Sequence, residues 1–278
     1  MIKSNRRVKN NDPIGIFDSG FGGLSIMSAI HTILPYENII YFGDTMHSPY
    51  GSKSRNAIRE YIIPIINFFI KCNVKLIVIA CNTASATVSL PAIQNKIRIP
   101  IIGVILPGVK LALTSSCHRK IGIVCTESTL ISQVYPKTIN HFNKKLKIYQ
   151  QCCPLLVPLI EEGFSNNTNV ISTIAINYLE KLLYYDIDTL ILGCTHYLLI
   201  KNIFASYIRN KNIKIIDSAK ATAYETYNIL YNMKLTNNIY NKNHGNILFF
   251  VSDNPNKFQT IGQKFFFQTI NNVQQKNL

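Results

Sequence analysis

Acidic residues are scarce in this chain: 14 Asp and Glu stand against 29 Lys and Arg, leaving a formal charge of +15 at pH 7. Such an excess invites nucleic-acid binding, but the patterns that would give it direction are missing. There is no recognition-helix, zinc-finger or RNP-type pattern, and the basic residues are scattered among Asn and Ile rather than gathered in an aromatic-laced stripe. A general Lys/Asn/Ile bias accounts for the charge, which argues against nucleic acid as a partner. Long apolar runs are missing as well, since Pro64, Lys71, Lys75 and Pro100 interrupt every candidate for a membrane span. Residues 1–12, MIKSNRRVKNND, lack the apolar stretch of a secretory signal and read as a flexible basic arm. A cytoplasmic protein is expected.

Cysteine is present but unpaired in pattern. The seven residues Cys72, Cys81, Cys117, Cys125, Cys152, Cys153 and Cys194 include no CxxC pair, and vicinal Cys152 and Cys153 are poor disulfide partners. Reduced thiols are expected. No Cys/His cluster has zinc-ligand spacing, so no metal is expected. The Gly-rich turn near the start lacks a P-loop Lys and the GxGxxG spacing, which leaves a nucleotide cofactor unsupported.

Two stretches stand out, LIVIACNTAS at 76–85 and LILGCTHYLL at 190–199. Each is a branched apolar run that stops at a cysteine followed by small polar residues. Such runs read as strands buried on both faces, and ligands bind beyond the carboxyl ends of such strands. Other landmarks surround them. IGIFDSGFGGLS at 14–25 reads as a strand, a Gly-rich turn and a helix start; ENIIYFGD at 37–44 is a second strand, followed by a loop ending Ser48-Pro49-Tyr50-Gly51. A helical stretch spans about 54–71, with Pro64 arguing against a straight helix, and IPIIGVI at 99–105 is another strand.

These landmarks recur. IGIVCTESTLIS at 121–132 echoes 14–25 with a shift of 107 (121 − 14), and the two cysteines lie 113 apart (194 − 81). NIKIIDSA at 212–219 echoes RIPIIGVI at 98–105 with a shift of 114 (212 − 98). Three landmarks in the same order predict an α/β chain of two similar domains, each a parallel sheet flanked by helices, with the matched cysteines facing one cleft. The remainder, 220–278, carries a helix, the strand NILFFVS at 246–252 and a final helical segment.

Two thiols on opposite sides of a ligand suit removal of a proton from one face of a carbon and delivery to the other. One must begin as thiolate, which a helix N-terminus favours and a neighbouring carboxylate opposes, although that carboxylate can take up the thiol proton. Asp18 is placed near Cys81 and His196 near Cys194. Blander readings stand beside these: Asp18 as a helix N-cap, Ser48–Gly51 as a mere turn, His196 as a strand-end structural residue, and the cysteines as buried thiols. A cysteine-nucleophile hydrolase needs one thiol and leaves the second unexplained. The repeat of cysteine plus polar tripeptide favours the two-thiol reading.

Taken together, DSGFGG, DTMHSPYGSKS, ACNTAS, CPLLVPLIEEG and GCTHY resemble the glutamate racemase family, of the cofactor-independent aspartate/glutamate racemase superfamily, over roughly residues 13–270. The resemblance implies interconversion of L- and D-glutamate without a cofactor, supplying D-glutamate for peptidoglycan and hence for cell-wall biogenesis and cell shape. It implies two related domains under pseudo-twofold symmetry: 13–108 with 220–278, and 109–219. Cys81 and Cys194 fall on the two catalytic cysteines, deprotonating D- and L-glutamate respectively. Asp18 matches the acidic helper of the first side; Glu161 and His196 match those of the second, with Glu162 as a substitute for Glu161. Substrate contacts carry over to Asp18, Ser19, Tyr50, Gly51, Asn82, Thr83, Thr195 and His196. Departures occur at Leu198, where Pro is usual, at Glu127-Ser128, where a Gly-containing turn is commoner, and in SDNP at 252–255. The oligomeric state is left open, a homodimer included.

Overall fold

The structure, a computed structural model, describes residues 8–88, 90–116, 120–164, 168–237, 244–266 and 269–278. Among the described residues, ten strands form two sheets. The strands are β1 (Ile14–Asp18), β2 (Ile39–Gly43), β3 (Leu76–Ile79), β4 (Ile101–Gly103), β5 (Lys120–Cys125), β6 (Lys147–Cys152), β7 (Thr189–Gly193), β8 (Lys214–Ile216), β9 (Ile247–Val251) and β10 (Val273–Gln275). Helices alternate with them: α1 (Leu24–Ile33), α2 (Arg55–Lys71), α3 (Asn82–Thr87), α4 (Leu90–Gln94), α5 (Ile105–Ser115), α6 (Glu127–Ser132), α7 (Val134–Phe142), α8 (Leu156–Glu161), α9 (Thr168–Leu183), α10 (Lys201–Tyr207), α11 (Ser218–Asn232) and α12 (Pro255–Phe266).

The first sheet has the order β10-β9-β2-β1-β3-β4 and the second β6-β5-β7-β8, and every described pairing is parallel. The run β2-β1-β3-β4 is therefore repeated as β6-β5-β7-β8. The expected α/β architecture of two parallel sheets flanked by helices is what the chain adopts, and the three sequence echoes fall on β1/β5, β3/β7 and β4/β8.

The central strands β1, β2, β3 and β7 are buried at every position, which is why they read as unbroken apolar runs. Two equivalent glycines, Gly15 and Gly122, explain how helices close over these strands. A Cβ on Gly15 would lie 2.9 Å from the Phe69 ring of α2, and one on Gly122 would lie 2.5 Å from Ile187 Cδ1. In both halves the missing side chain admits a large residue, from α2 in the first and from the connection between α9 and β7 in the second. Helix α2 starts at the Ser54 cap, whose Oγ accepts the Ala57 N–H at 3.2 Å, and runs unbroken through Pro64.

Three expectations need correction. The final helical segment is α12 followed by a strand, β10, which pairs with β9 at the sheet edge. Its Val-Gln-Gln is short, polar and partly exposed, so no apolar periodicity announced it. The strand read at 99–105 is only Ile101–Gly103, because Ile105 already begins α5. Of the arm read as flexible, residues 1–7 lie outside the described residues, but 8–12 are pinned. Lys9 N–H donates to Asp12 Oδ2 at 2.7 Å, and Asn38 Nδ2 donates to the Asn11 carbonyl at 3.0 Å. Among the described residues, no helix is long and apolar enough to cross a membrane.

One buried charge pair ties this end of the molecule together. Lys75, fully buried at the start of β3, pairs with the Glu37 carboxylate and donates to the carbonyls of Asn10 (2.5 Å) and Leu235 (2.8 Å). Glu37 Oε1 accepts the Asn237 N–H at 2.7 Å. The segment before β1 and the segment after α11 are thus held on the first sheet by the same two side chains. Lys75→Met leaves Glu37 buried and unpaired, so it should destabilise the fold by about 3–5 kcal/mol in denaturant unfolding. The double variant Lys75→Met/Glu37→Leu should recover most of that loss; a single variant as stable as the parent would show that the pair carries no structural weight.

Candidate active site

Both thiols lie just past a buried strand of equivalent position. Strand β3 ends at Ile79, and Cys81 caps α3, its Sγ accepting the Ala84 N–H at 3.4 Å. Strand β7 ends at Gly193, and Cys194 precedes a short 3-10 turn over Thr195–Leu198. One cleft between the halves is lined by both cysteines with Ser19, Tyr50, Gly51, Asn82, Thr83, Thr195 and His196, and by Pro49, Thr126 and Val157. It is nearly closed, a cavity of about 20 Å³, which is room for about one water.

The Gly-rich turn after β1 makes this closure possible. A Cβ on Gly22 would stand 2.3 Å from Thr195 Oγ1 and 2.7 Å from His196 Nδ1; one on Gly23 would stand 2.4 Å from Asp18 Cβ. Gly22 thus lets the turn approach the other half of the protein, and Gly23 lets it close over Asp18.

On the first side, Asp18 ends β1 with no exposure, directly beneath the turn. Its Oδ2 accepts the Gly20 N–H at 2.9 Å, while Oδ1 has no hydrogen-bond partner. Asp18 does not cap α1, whose cap is Gly23; it braces the turn instead. Burial raises the Asp18 pKa, and the nearby His196 and the N–H groups of Gly20 and Gly23 only partly offset this. The Cys81 thiol faces Ser19 Oγ at 3.5 Å. Burial first, and Asp18 second, push its pKa up to about 12, against the weaker pull of the Ala84 N–H and Ser19 hydroxyl. A helix N-terminus was expected to favour thiolate here; desolvation outweighs it.

The second side is an ion pair. His196 Nδ1 lies 3.8 Å from Cys194 Sγ, and its Nε2 is 2.9 Å from Glu161 Oε1. Burial pulls the His196 pKa down, but hydrogen bonds to Cys194 and Glu161 overcome it and hold the ring well above its ordinary range. For Glu161 burial acts upward, and His196, Ser48 and Lys257 together bring the net shift downward. Glu161, not Glu162, is the carboxylate at the histidine. Glu162 is 67% exposed and faces Lys257 at 3.7 Å.

Polar contacts knit the halves around the cleft. Asn82 Nδ2 donates to the buried Tyr135 hydroxyl at 2.9 Å, and the Thr83 and Thr126 hydroxyls are 2.9 Å apart. Ser128 Oγ donates to the Lys53 carbonyl at 2.7 Å, which gives the Glu127-Ser128 departure a role in the contact; Glu127 lies in the first turn of α6, where negative charge is favoured. In the SDNP turn, Ser252 donates to Asp44 Oδ1 at 2.8 Å, and Asn254 adopts a left-handed φ of 48° that Asn tolerates. Leu198 ends the 3-10 turn, partly buried against the main core.

Sequence reasoning missed Thr126, Tyr135, Asp44 and Ser48. Thr126 was within reach, because the 107-residue shift maps it onto Ser19 (126 − 107). Asp44 and Ser48 lie inside a stretch already singled out, whereas Tyr135 carried no signal. Among the described residues no group of His, Cys, Asp and Glu is arranged to hold a metal ion.

The chain is similar in sequence and fold to known proteins. Residues 22–226 match the family described as Asp/Glu/Hydantoin racemase. A glutamate racemase of Neisseria meningitidis serogroup C is 41% identical over 266 residues, covering 96% of this chain and 97% of its own. A glutamate racemase of Geobacter metallireducens is 40% identical over 265 residues, covering 95% and 96%. Among solved structures, the Francisella tularensis glutamate racemase in complex with D-glutamate superposes with a TM-score of 0.89 at 36% identity, covering 96% of this chain and 98% of that one.

The ion pair makes a pH prediction. His196, raised in the fold, contributes stability that is complete below its ordinary value of 6.5 and is lost as pH rises through the raised one. Glu161, lowered in the fold, contributes stability that is complete above 4.5 and is lost as pH falls through the lowered value. Glu161→Gln removes the charge that offsets burial, so the His196 pKa should fall when its ring protons are followed by NMR. Glu162→Gln should leave it in place. A His196 titration indifferent to Glu161→Gln would separate the two groups.

Proposed function

The chain belongs to the Asp/Glu/Hydantoin racemase family, and from that premise we propose that it interconverts L- and D-glutamate by a two-thiol mechanism at this cleft. The observation that carries the reading is the placement of Cys81 and Cys194 at equivalent strand ends, lining one cavity. In the D-to-L direction the Cys81 thiolate takes the α-proton: the C–H bond breaks, its electron pair stays on carbon, and an S–H bond forms. The Cys194 thiol then delivers its proton to the opposite face. The L-to-D direction reverses both roles.

The helpers supply what bare thiols lack against so weak a carbon acid. At about 12 the Cys81 thiol holds its proton in the resting cleft, ready for delivery in the L-to-D direction. To act as base it must first give that proton up, and Asp18, with its raised proton affinity and unpartnered Oδ1, is the acceptor we assign. On the other side His196, held by Glu161, faces the Cys194 sulfur and stabilises negative charge there.

Ser19, Asn82, Thr83, Thr195 and the Tyr50-Gly51 backbone are assigned to substrate, with Asp18 and His196 close enough to share in binding. The buried Asn82 Oδ1 has no hydrogen-bond partner and suits the substrate ammonium. Tyr50 acts through its backbone, since its hydroxyl donates to Asp44 at 2.5 Å. A cavity of about 20 Å³ cannot take glutamate, so the halves must part for substrate and close again for proton transfer. We take 13–108 with 220–278 as one moving unit and 109–219 as the other. The product would serve peptidoglycan synthesis in the cytoplasm.

Circular dichroism of separate L- and D-glutamate solutions incubated with the protein alone should decay to zero from both sides. Cys81→Ser and Cys194→Ser should each reduce that rate by several orders of magnitude while the far-ultraviolet spectrum is kept; full activity in either sinks the two-thiol mechanism. Asn82→Ala should raise KM more than it lowers kcat, because its assigned contact exists in ground and transition states alike. A pure kcat effect, with directly measured binding unchanged, would remove Asn82 from the binding set.

A further inference from the structure

Ser48 belongs to the first half of the molecule, yet its hydroxyl reaches the helper pair of the second. Its Oγ donates to Glu161 Oε1 at 3.3 Å, and the same oxygen takes His196 Nε2 at 2.9 Å. The loop that carries Ser48 is fixed on both sides by one buried carboxylate. Asp44 accepts from the Tyr50 hydroxyl at 2.5 Å, from Ser252 at 2.8 Å, and from His47 Nδ1 at 2.9 Å. The His47 ring in turn stacks on Tyr61 with centroids 3.9 Å apart. Gly20 roofs the contact, since a Cβ there would sit 3.0 Å from Ser48 Oγ and 3.9 Å from Glu161 Oε1.

We propose that Ser48 is a positioning residue through which closure of the two halves tunes the Glu161–His196 pair beside Cys194. The inference rests on the reading that the cleft racemises glutamate, but the hydrogen bond is a property of the protein alone. Two donors on one carboxylate oxygen compete for its electron density, so Ser48 loosens the hold of Glu161 on the His196 proton. When the halves part, Ser48 leaves with the first, while Glu161 and His196 stay together on the second. With its Nε2–H bonded more strongly to Glu161 in the open protein, the ring is more basic at Nδ1, the nitrogen that faces Cys194; closure lowers that basicity and eases transfer of the Nδ1 proton to the sulfur. The other titratable groups facing the pair are Asp18 from β1, Cys194, and Lys257 from α12. None of these is altered by changing Ser48.

Two readouts test this, one without substrate. In Ser48→Ala the His196 Nε2 proton resonance should move downfield, reflecting a stronger bond to Glu161, and Ser48→Thr should restore it. With substrate, kcat/KM should fall about 2- to 10-fold in Ser48→Ala, the range expected for one lost hydrogen bond. Because the equilibrium constant fixes the ratio of the two directions, sidedness must be read from primary deuterium isotope effects. The effect should rise when L-glutamate is the starting enantiomer and stay at the parent value from D-glutamate. An unmoved resonance, a Thr variant no better than Ala, or isotope effects that change equally in both directions would each overturn the proposal. If the parent protein leaves both enantiomers unchanged, the racemase reading fails, while the resonance still decides the Ser48 bond.

Discussion

The site depends on how closely the two halves can approach at Gly22. No side chain fits there, because the place of a Cβ is taken by Thr195 Oγ1 at 2.3 Å and His196 Nδ1 at 2.7 Å. That approach shrinks the cleft to about one water's volume and strips solvent from Asp18, Cys81 and His196. The raised proton affinities of Asp18 and Cys81 follow from it, whereas at His196 burial pulls downward and is overcome by the hydrogen bonds to Cys194 and Glu161. The turn is kept in shape by Asp18 below it and by the Tyr41 hydroxyl, which donates to the Gly20 carbonyl at 3.0 Å.

The two halves repeat a topology but not a chemistry. The 107-residue shift that maps Ser19 onto Thr126 also maps Asp18 onto Cys125 (125 − 107). At the place where the first half has a buried carboxyl, the second has a buried thiol in the core cluster shared with residues of α5 and α7. Cys125 offers no carboxylate to Cys194; the carboxylate on that side is Glu161, at the end of α8, hydrogen-bonded to His196. One side therefore has a buried carboxyl whose proton affinity is raised, and the other has an ion pair. A near-symmetric fold carries two chemically different sets of groups beside its two thiols.

What the sequence disclosed, and what it hid, divides along a physical line. Doubly buried parallel strands show as apolar runs, and their ends show as abrupt changes to polar residues, so both cysteines and their neighbours were legible from local pattern. The repeat order was legible for the same reason. Interactions joining distant residues were not. Ser48 and Glu161 are 113 residues apart, and Asp44 and Ser252 are 208 apart. Neither pair leaves a local trace. The proton affinity of Cys81 was legible only in part, because the N-terminal helix position and the neighbouring Asp18 are visible in sequence, whereas the depth of burial that dominates both is set by tertiary packing. The strand β10 escaped because an edge strand with one partner needs no apolar periodicity.

A closed and nearly dry cleft also selects where protons rest. Burial drives Asp18 toward its neutral acid and Cys81 toward its neutral thiol, while the mutual attraction of Glu161 and His196 keeps those two charged. The first side thus stores protons without charge, and the second stores a proton between opposite charges. Under the proposed mechanism, a proton delivered from Cys81 to the carbon leaves a thiolate that Asp18 can reprotonate at once. The reverse step needs the thiol proton to move onto Asp18 before the carbon is attacked, which requires Asp18 to be ionised in that state. Asp18 can alternate between these states because its partners are balanced: burial and Glu161 favour the acid, while His196 and the turn N–H groups favour the carboxylate. Reversibility at a thiol with so high a proton affinity therefore depends on a neighbouring carboxyl whose own affinity has been raised toward it.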